Sequence, residues 1–430
     1  MDSTPAPKAP VKAFGGLAAL WPIILITALF FFWGMANNLN DILIPQFKKA
    51  FALTNFQSSL VQSAFYMGYF VFALPAGFLM RRFGYKAAVI AGLCLYALGA
   101  FLFWPAAEVH QYGWFLAALF VIASGLAFLE TSANPLMTVL GSEKGAAFRL
   151  NLAQAFNPLG SLAGVWVGQH FILSGIEQMN STADYVREAK AVQLPYLVIG
   201  LLIVGWAVLV ALSKFPQAAT QSVHDADEAK LTAGQAIGGL FKHKHFLMGV
   251  AAQFFYVGAQ VGIWSYIIKY GQAELHLVDK AAASYLSYAL TAFLMGRFAG
   301  TALMSVINPA RLLTAFAVIN IFLVAVAVFV GGQTGLYALV AASFFMSIMY
   351  PTIFATSVRG LGPLTKTGAS FLVMSIVGGF ALTNLMGYIL DTGSVRHAII
   401  VPLGCFIVVA LYGLMTPKSG KAIETAGIGH

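Results

Sequence analysis

The stretches "ANPLMTVLG", residues 133–141, and "MYPTIFATSVRG", residues 349–360, decide how the rest of the chain is read. Pro135 and Pro351 stand half a chain length apart, each closing an apolar run. A short basic loop and a span rich in small residues follow both. A weaker pair, "GFLMRRFGYK" at 77–86 and "GRFAG" at 296–300, precedes them, one in each half. The chain reads as one unit used twice.

The composition says in what medium that unit folds. Hydrophobic residues make up 60% of the chain and charged residues 9%. A soluble domain carries about 25% charge, so this chain lacks a solvated surface. Apolar stretches of about 20 residues recur, each long enough to cross a hydrocarbon core of roughly 30 Å. Spans are expected near 20–45, 56–80, 86–105, 112–139, 147–173 and 193–213, then near 244–270, 280–306, 310–329, 334–357, 366–390 and 396–416. The fold class is an all-α polytopic membrane protein of twelve helices in two pseudo-symmetric halves. Residues 1–19 form a tail, 20–213 the first half, 214–243 a linker, 244–416 the second half and 417–430 a second tail. Parallel repeats of this kind are a transporter architecture with the ligand site at mid-bilayer.

The formal charge of +9 follows the loops. With both termini cytoplasmic, seventeen of the 24 Lys and Arg, Arg297 included, fall on that side and seven on the other. That bias sets orientation by the positive-inside rule. It leaves nucleic acid without a role, and lipid and a small molecule as the partners. The Pro-rich start, "MDSTPAPKAP", has no basic region ahead of a cleavable apolar run, so it reads as a tail and not as a signal peptide. Cys94 and Cys405, both in apolar runs, suggest neither disulfides nor a metal cluster. The linker "SKFPQAATQSVHDADEAKLTAGQ" reads as a solvated loop.

Within the spans, "MANNLNDILIPQF" at 35–47 is out of place. Of 15 acids, only Asp41 and Glu130 fall well inside expected spans. An acid at mid-bilayer costs about 2.5–3.5 kcal/mol on insertion scales and marks a functional pathway more often than a packing contact. Helical spacing places Trp33, Asn37 and Asp41 on one stripe with Asn38 beside it, and Glu130 and Asn134 on another. Asn151, Gln154, Asn157 and Ser161 share a face of the fifth span, and Gln253, Tyr256, Gln260 and Trp264 a face of the seventh. Tyr350 precedes Pro351 on the tenth.

Amides donate and accept, carboxylates accept, and aromatic rings cover C–H faces, which suits a neutral ligand rich in hydroxyls. No Lys or Arg reads as deep in a span, which argues against anions. Low dielectric disfavours the charged form of a carboxylate, so Asp41 and Glu130 are candidate proton carriers. A sodium site is the competing use; two isolated acids with no unwound Gly/Ser/Thr segment beside them favour the proton. Gly160, Gly164 and Gly168 repeat every four residues, the pattern of close helix approach. Pro45, Pro135, Pro158 and Pro351 read as kinks. An integral-membrane enzyme would need a nucleophile–base pair or metal ligands, and no HExxH, GxSxG or Cys/His cluster occurs. A receptor would not need two acids amid converging amide stripes.

The segments "NNLNDILIPQF", "QSAFYMGYFVFALPAG", "LYALGAFLFWPAAE", "LETSANP", "FRLNLAQAFN", "YVGAQVGIWSY" and "YPTIF" closely resemble the L-fucose/proton symporter family of the major facilitator superfamily, which includes galactose and glucose carriers. The resemblance runs through nearly all spans in order. It implies a monomeric carrier in the inner (plasma) membrane that needs no cofactor, works by alternating access, and uses the proton as coupling ion. It implies that Asp41 and Glu130 are the family's two essential acids. It implies further that Asn38, Gln154 and Asn157 line a sugar cavity, and that Trp33 and Trp264 are its tryptophans. Asn37, Asn134, Gln260 and Tyr350 join that set from the stripes alone. One departure stands out: Arg81 occupies the place of the acid in the superfamily's loop motif.

Overall fold

The computed structural model describes residues 17–140, 143–172, 181–215 and 231–416. Most of both expected tails and residues 216–230 of the linker lie outside the described residues. Among those described, nine helices are long and apolar enough to cross a membrane. One of them, α2 (Asn55–Val109), is two crossings, because Gly84 at φ 81° folds it back on itself. Only glycine takes that left-handed conformation without steric cost. Residues 146–172 cross as a broken helix, α4 (Ala146–Gln154) and α5 (Phe156–Val167) followed by a wide turn at Gly168–Ile172. A further crossing carries a buried arginine: α10, Asp279–Leu303. The twelve crossings expected from the sequence are thereby reached.

The remaining elements are α1 (Leu17–Ala50), α3 (Tyr112–Val139), α6 (Thr182–Lys190), α7 (Gln193–Leu212), α8 (Ala233–Leu240) and α9 (Lys244–Leu275), then α11 (Pro309–Phe329), α12 (Gly332–Met346), α13 (Met349–Ser357), α14 (Thr365–Met374), α15 (Gly378–Thr392) and α16 (Val395–Met415). Their ends follow local chemistry. The Thr54 side chain accepts from the Gln57 amide and opens α2, and Asn308 caps α11 with Pro309 at its first position. Large apolar side chains such as Phe322, Phe329 and Leu212 stay exposed on the outside of the bundle, where lipid replaces water. We call the side on which α1 begins the near side.

The glycine repeat does what its spacing suggests. A Cβ on Gly160 would strike the Phe31 carbonyl, one on Gly34 the Asn157 carbonyl, and one on Gly164 would lie 2.7 Å from the Met35 carbonyl. The α1 and α5 backbones therefore touch directly. The prolines divide. The chain breaks at Ser347 and Ile348 just before Pro351, and at Ala155 just before Pro158. By contrast α1 and α3 run unbroken through Pro45 and Pro135.

The linker departs from the expected loop. Thr232 and Gln235 form a reciprocal cap, and the helix they open, α8, buries Ala236 and Leu240. Ala236 and Leu240, four apart on a helix with three glycines, help seat it at Leu364 ahead of α14. Overpacking a close contact costs about 1–3 kcal/mol. Gly160→Ala is therefore expected to lower the melting temperature of the detergent-purified protein. Gly205→Ala, whose Cβ meets open space, should leave it unchanged; equal behaviour of the two would contradict the α1–α5 contact.

Candidate functional site

Glu130, deep in α3, is 2% exposed. Its Oε1 accepts a hydrogen bond from the Tyr350 hydroxyl, and Tyr350 sits on α13, in the other half of the bundle. Its Oε2 is buried without a partner among the described residues. Among the described residues, a carboxylate so placed has one neutral donor and no paired cation to stabilise its charge. A proton on Oε2 removes that charge.

Three rings surround the pair. Trp33 of α1 lies 6.5 Å from the Tyr350 ring, centroid to centroid, and Tyr256 of α9 lies 6.4 Å from it. The Trp33 indole faces the Tyr69 hydroxyl, which itself lies near Glu130. Gln253, fully buried on α9, is beside Tyr350. Tyr256 donates to the Met346 carbonyl at 2.9 Å, the last residue of α12. That bond fixes the ring where the chain breaks before Pro351.

A second polar chain runs beside the first. Gln154 donates to Asn134 Oδ1 at 2.9 Å, and its own Oε1 accepts from Arg297 at 3.1 Å. One turn earlier, Asn151 donates to Thr352 Oγ1 at 3.1 Å. Glu130, Asn134, Gln154, Trp33 and Tyr350 are thus brought together, as their stripes suggested. The stripe on the fifth span is bent at Ala155. Beyond it Asn157 turns to α1, donating to the Phe30 carbonyl at 3.3 Å, and Ser161 donates to the Gly34 carbonyl at 3.4 Å.

The other expected residues take no part in these bonds. Asn38 donates to the Gly34 carbonyl at 3.4 Å and is half-buried. Asn37 and Gln260 are half-buried, and their amides bond no other described residue. Trp264 is used inside the second half: its indole donates to Ser343 at 3.2 Å, and its ring meets Phe293 edge-on at 4.9 Å. Asp41 lies on the α1 backbone, and its side chain is outside the described residues.

Arg297 corrects the sequence reading. Counted there among the loop residues, it is a buried cation, 4% exposed, well inside the end of α10. Gly296 packs on the Phe344 carbonyl and Gly300 on Ile348, and these close contacts draw that stretch of helix into the bundle. Two glycines four residues apart, with the arginine between them, were the available signal. The argument against anions from the lack of a deep arginine falls with it.

Contacts between the halves run from mid-membrane to the near side. Besides those above, a Cβ on Gly77 would meet Ser370, and Lys366 lies 5.4 Å above the Tyr85 ring. Arg81, standing where an acid was expected, donates to the Leu231 carbonyl of the linker. On the far side, among the described residues, the ion pairs stay within each half: Glu108 with Lys190 at 2.7 Å, and Glu274 with Arg396 at 2.8 Å from Nε.

Twelve crossings in two halves, meeting over buried polar groups at mid-membrane and packed together on one side, describe a membrane transporter and not an enzyme. The family model described as Major Facilitator Superfamily matches residues 24–381, and the chain belongs to that family. It is 45% identical to the L-fucose-proton symporter of Escherichia coli over 404 residues, covering 91% of this chain and 92% of that protein. It is 37% identical to the glucose/galactose transporter of Brucella abortus over 396 residues, covering 92% and 93%. The crystal structure of FucP, a major facilitator transporter in the outward conformation, superposes with a TM-score of 0.85 at 44% identity, covering 94% of this chain and all of that one.

The near-side packing can be tested directly. A Cβ on Gly77 stands 3.3 Å from that of Ser370, close to the roughly 3.5–4.5 Å of a disulfide. With Cys94 and Cys405 replaced by serine, Gly77→Cys combined with Ser370→Cys is expected to cross-link under mild oxidation, read as a gel shift lost on reduction. Failure to cross-link in membranes would contradict the closure described.

Proposed function

We propose that this chain carries a neutral hexose, with L-fucose the first choice, into the cell together with a proton. The two halves, 20–213 and 244–416, rock about the central site to expose it to each side in turn. The observation that carries the reading is the bond between Glu130 of one half and Tyr350 of the other. When the carboxylate takes a proton, this polar contact between the halves weakens from a charge-assisted bond to a neutral one. Protonation and the relative position of the halves are then linked. Asp41, which follows Trp33 and Asn37 at four-residue spacing along α1, is the second acid in this scheme, tying proton state to sugar binding.

The sugar would lie among Asn37, Asn38, Asn134, Gln154, Asn157 and Gln260, with Trp33, Trp264 and Tyr350 against its apolar faces. The names of the relatives support both parts of the reading, since a symporter of L-fucose and protons is among them. A transporter of glucose and galactose is another, so those sugars belong in the test. The near side is the cytoplasm in this proposal, with both termini there and the protein a monomer in the inner membrane. The excess of basic residues on that side supports this orientation.

The test is uptake into proteoliposomes of labelled L-fucose, D-galactose and D-glucose under an inward pH gradient, a sodium gradient, or neither. One sugar should accumulate with the pH gradient alone. Glu130→Gln is expected to lose that accumulation by more than tenfold while still exchanging internal for external sugar. Tyr350→Phe, keeping ring and carboxylate, should slow accumulation severalfold. Sodium-driven uptake would overturn the proton assignment, and no uptake of any of the three would overturn the substrate class.

A further inference from the structure

Resting on the sugar-carrier reading, one buried group stands outside it. The Arg297 guanidinium has five N–H donors, and among the described residues it bonds only Gln154 Oε1, at 3.1 Å. Its Nε is buried with no partner. Its central carbon lies over the Phe293 ring, 4.9 Å from the centroid, and that ring in turn meets Trp264. Tyr256, the neighbour of Tyr350, is within its electrostatic reach. A buried cation is costly without acceptors, and a ring beside the guanidinium takes up little of its hydrogen-bonding capacity, leaving most of its N–H donors to be satisfied by another group.

One of its N–H groups points at Gln154, whose amide is bonded from both halves of the bundle: it gives a hydrogen to Asn134 and takes one from Arg297. We infer that Arg297 is a further sugar-binding residue of the second half and one that determines specificity, and that Gln154 holds the place of a sugar hydroxyl on its guanidinium. Two neighbouring ring hydroxyls present acceptors at the spacing of a guanidinium's paired N–H groups. When they replace Gln154 Oε1, the amide is released to turn its carbonyl toward the ligand. The swap exchanges a bond between the halves for bonds between each half and the sugar, so Arg297 senses occupancy as well as identity. Lysine, a point charge without the fork, would keep the cation and lose the paired geometry.

The experiment measures binding to detergent-purified protein, by calorimetry, of L-fucose and of its analogues lacking the C2, C3 or C4 hydroxyl in turn. Native protein, Arg297→Gln and Arg297→Lys are compared. In Arg297→Gln, L-fucose affinity is expected to fall about 10- to 100-fold, the scale of hydrogen bonds to a charged group. The analogues lacking the hydroxyls that Arg297 holds should bind native protein weakly and lose little more in the variant. Arg297→Lys should fall between, and it carries the same comparison if Arg297→Gln does not fold. Binding of L-fucose within about twofold of native, well below that scale, or one uniform loss across all analogues, would reduce Arg297 to a packing role and overturn the inference. If the native protein binds none of these sugars, the substrate reading fails, and this assignment fails with it.

Discussion

The Tyr350–Glu130 hydrogen bond is the contact on which the rest of the arrangement turns. Hydrocarbon offers no water to a buried polar group, so each must be satisfied by protein or bear the cost. Glu130 finds its one described partner in the opposite half of the molecule. Everything that positions this bond is therefore part of the site. The break before Pro351 lets α13 carry Tyr350 inward, Tyr256 braces that break through the Met346 carbonyl, and Trp33 closes the cluster from α1.

Much of this was legible in the sequence, because hydrophobic length and helical spacing are strong signals in a membrane. The span starting near 112 was expected to end at 139 and does, and the four-residue stripes placed Glu130, Asn134 and Gln154 on converging faces. Spacing fails where a helix breaks. Asn151, Gln154, Asn157 and Ser161 share a face only on a straight helix, and the interruption at Ala155 sends the first two toward the opposite half and the last two toward α1. Arg297 was misread for a different reason. Charge was used there to locate loops, and that rule cannot distinguish a loop cation from one drawn inside by neighbouring glycines. The linker was misread because the glycines of α8 mask the apolar spacing of Ala236 and Leu240 that buries it.

The near-side closure makes a separate point about the superfamily's loop motif. Here the acid of that motif is replaced by Arg81, whose guanidinium reaches a linker carbonyl. The Gly77–Ser370 approach is a steric fit between small groups, and Lys366 lies over an aromatic ring. These contacts depend on shape and orientation at short range.

The glycine seam between α1 and α5 has a mechanical meaning. Because the Phe31 and Asn157 carbonyls occupy the space where side chains would stand, no compressible layer separates the two helices. Trp33 rides on one of them, and Gln154 lies just before the other. A push delivered to either helix reaches both of these side chains together, as through the two plates of a riveted joint. Such a seam converts a shift of one helix at the membrane surface into a change of shape at the centre with no play between them.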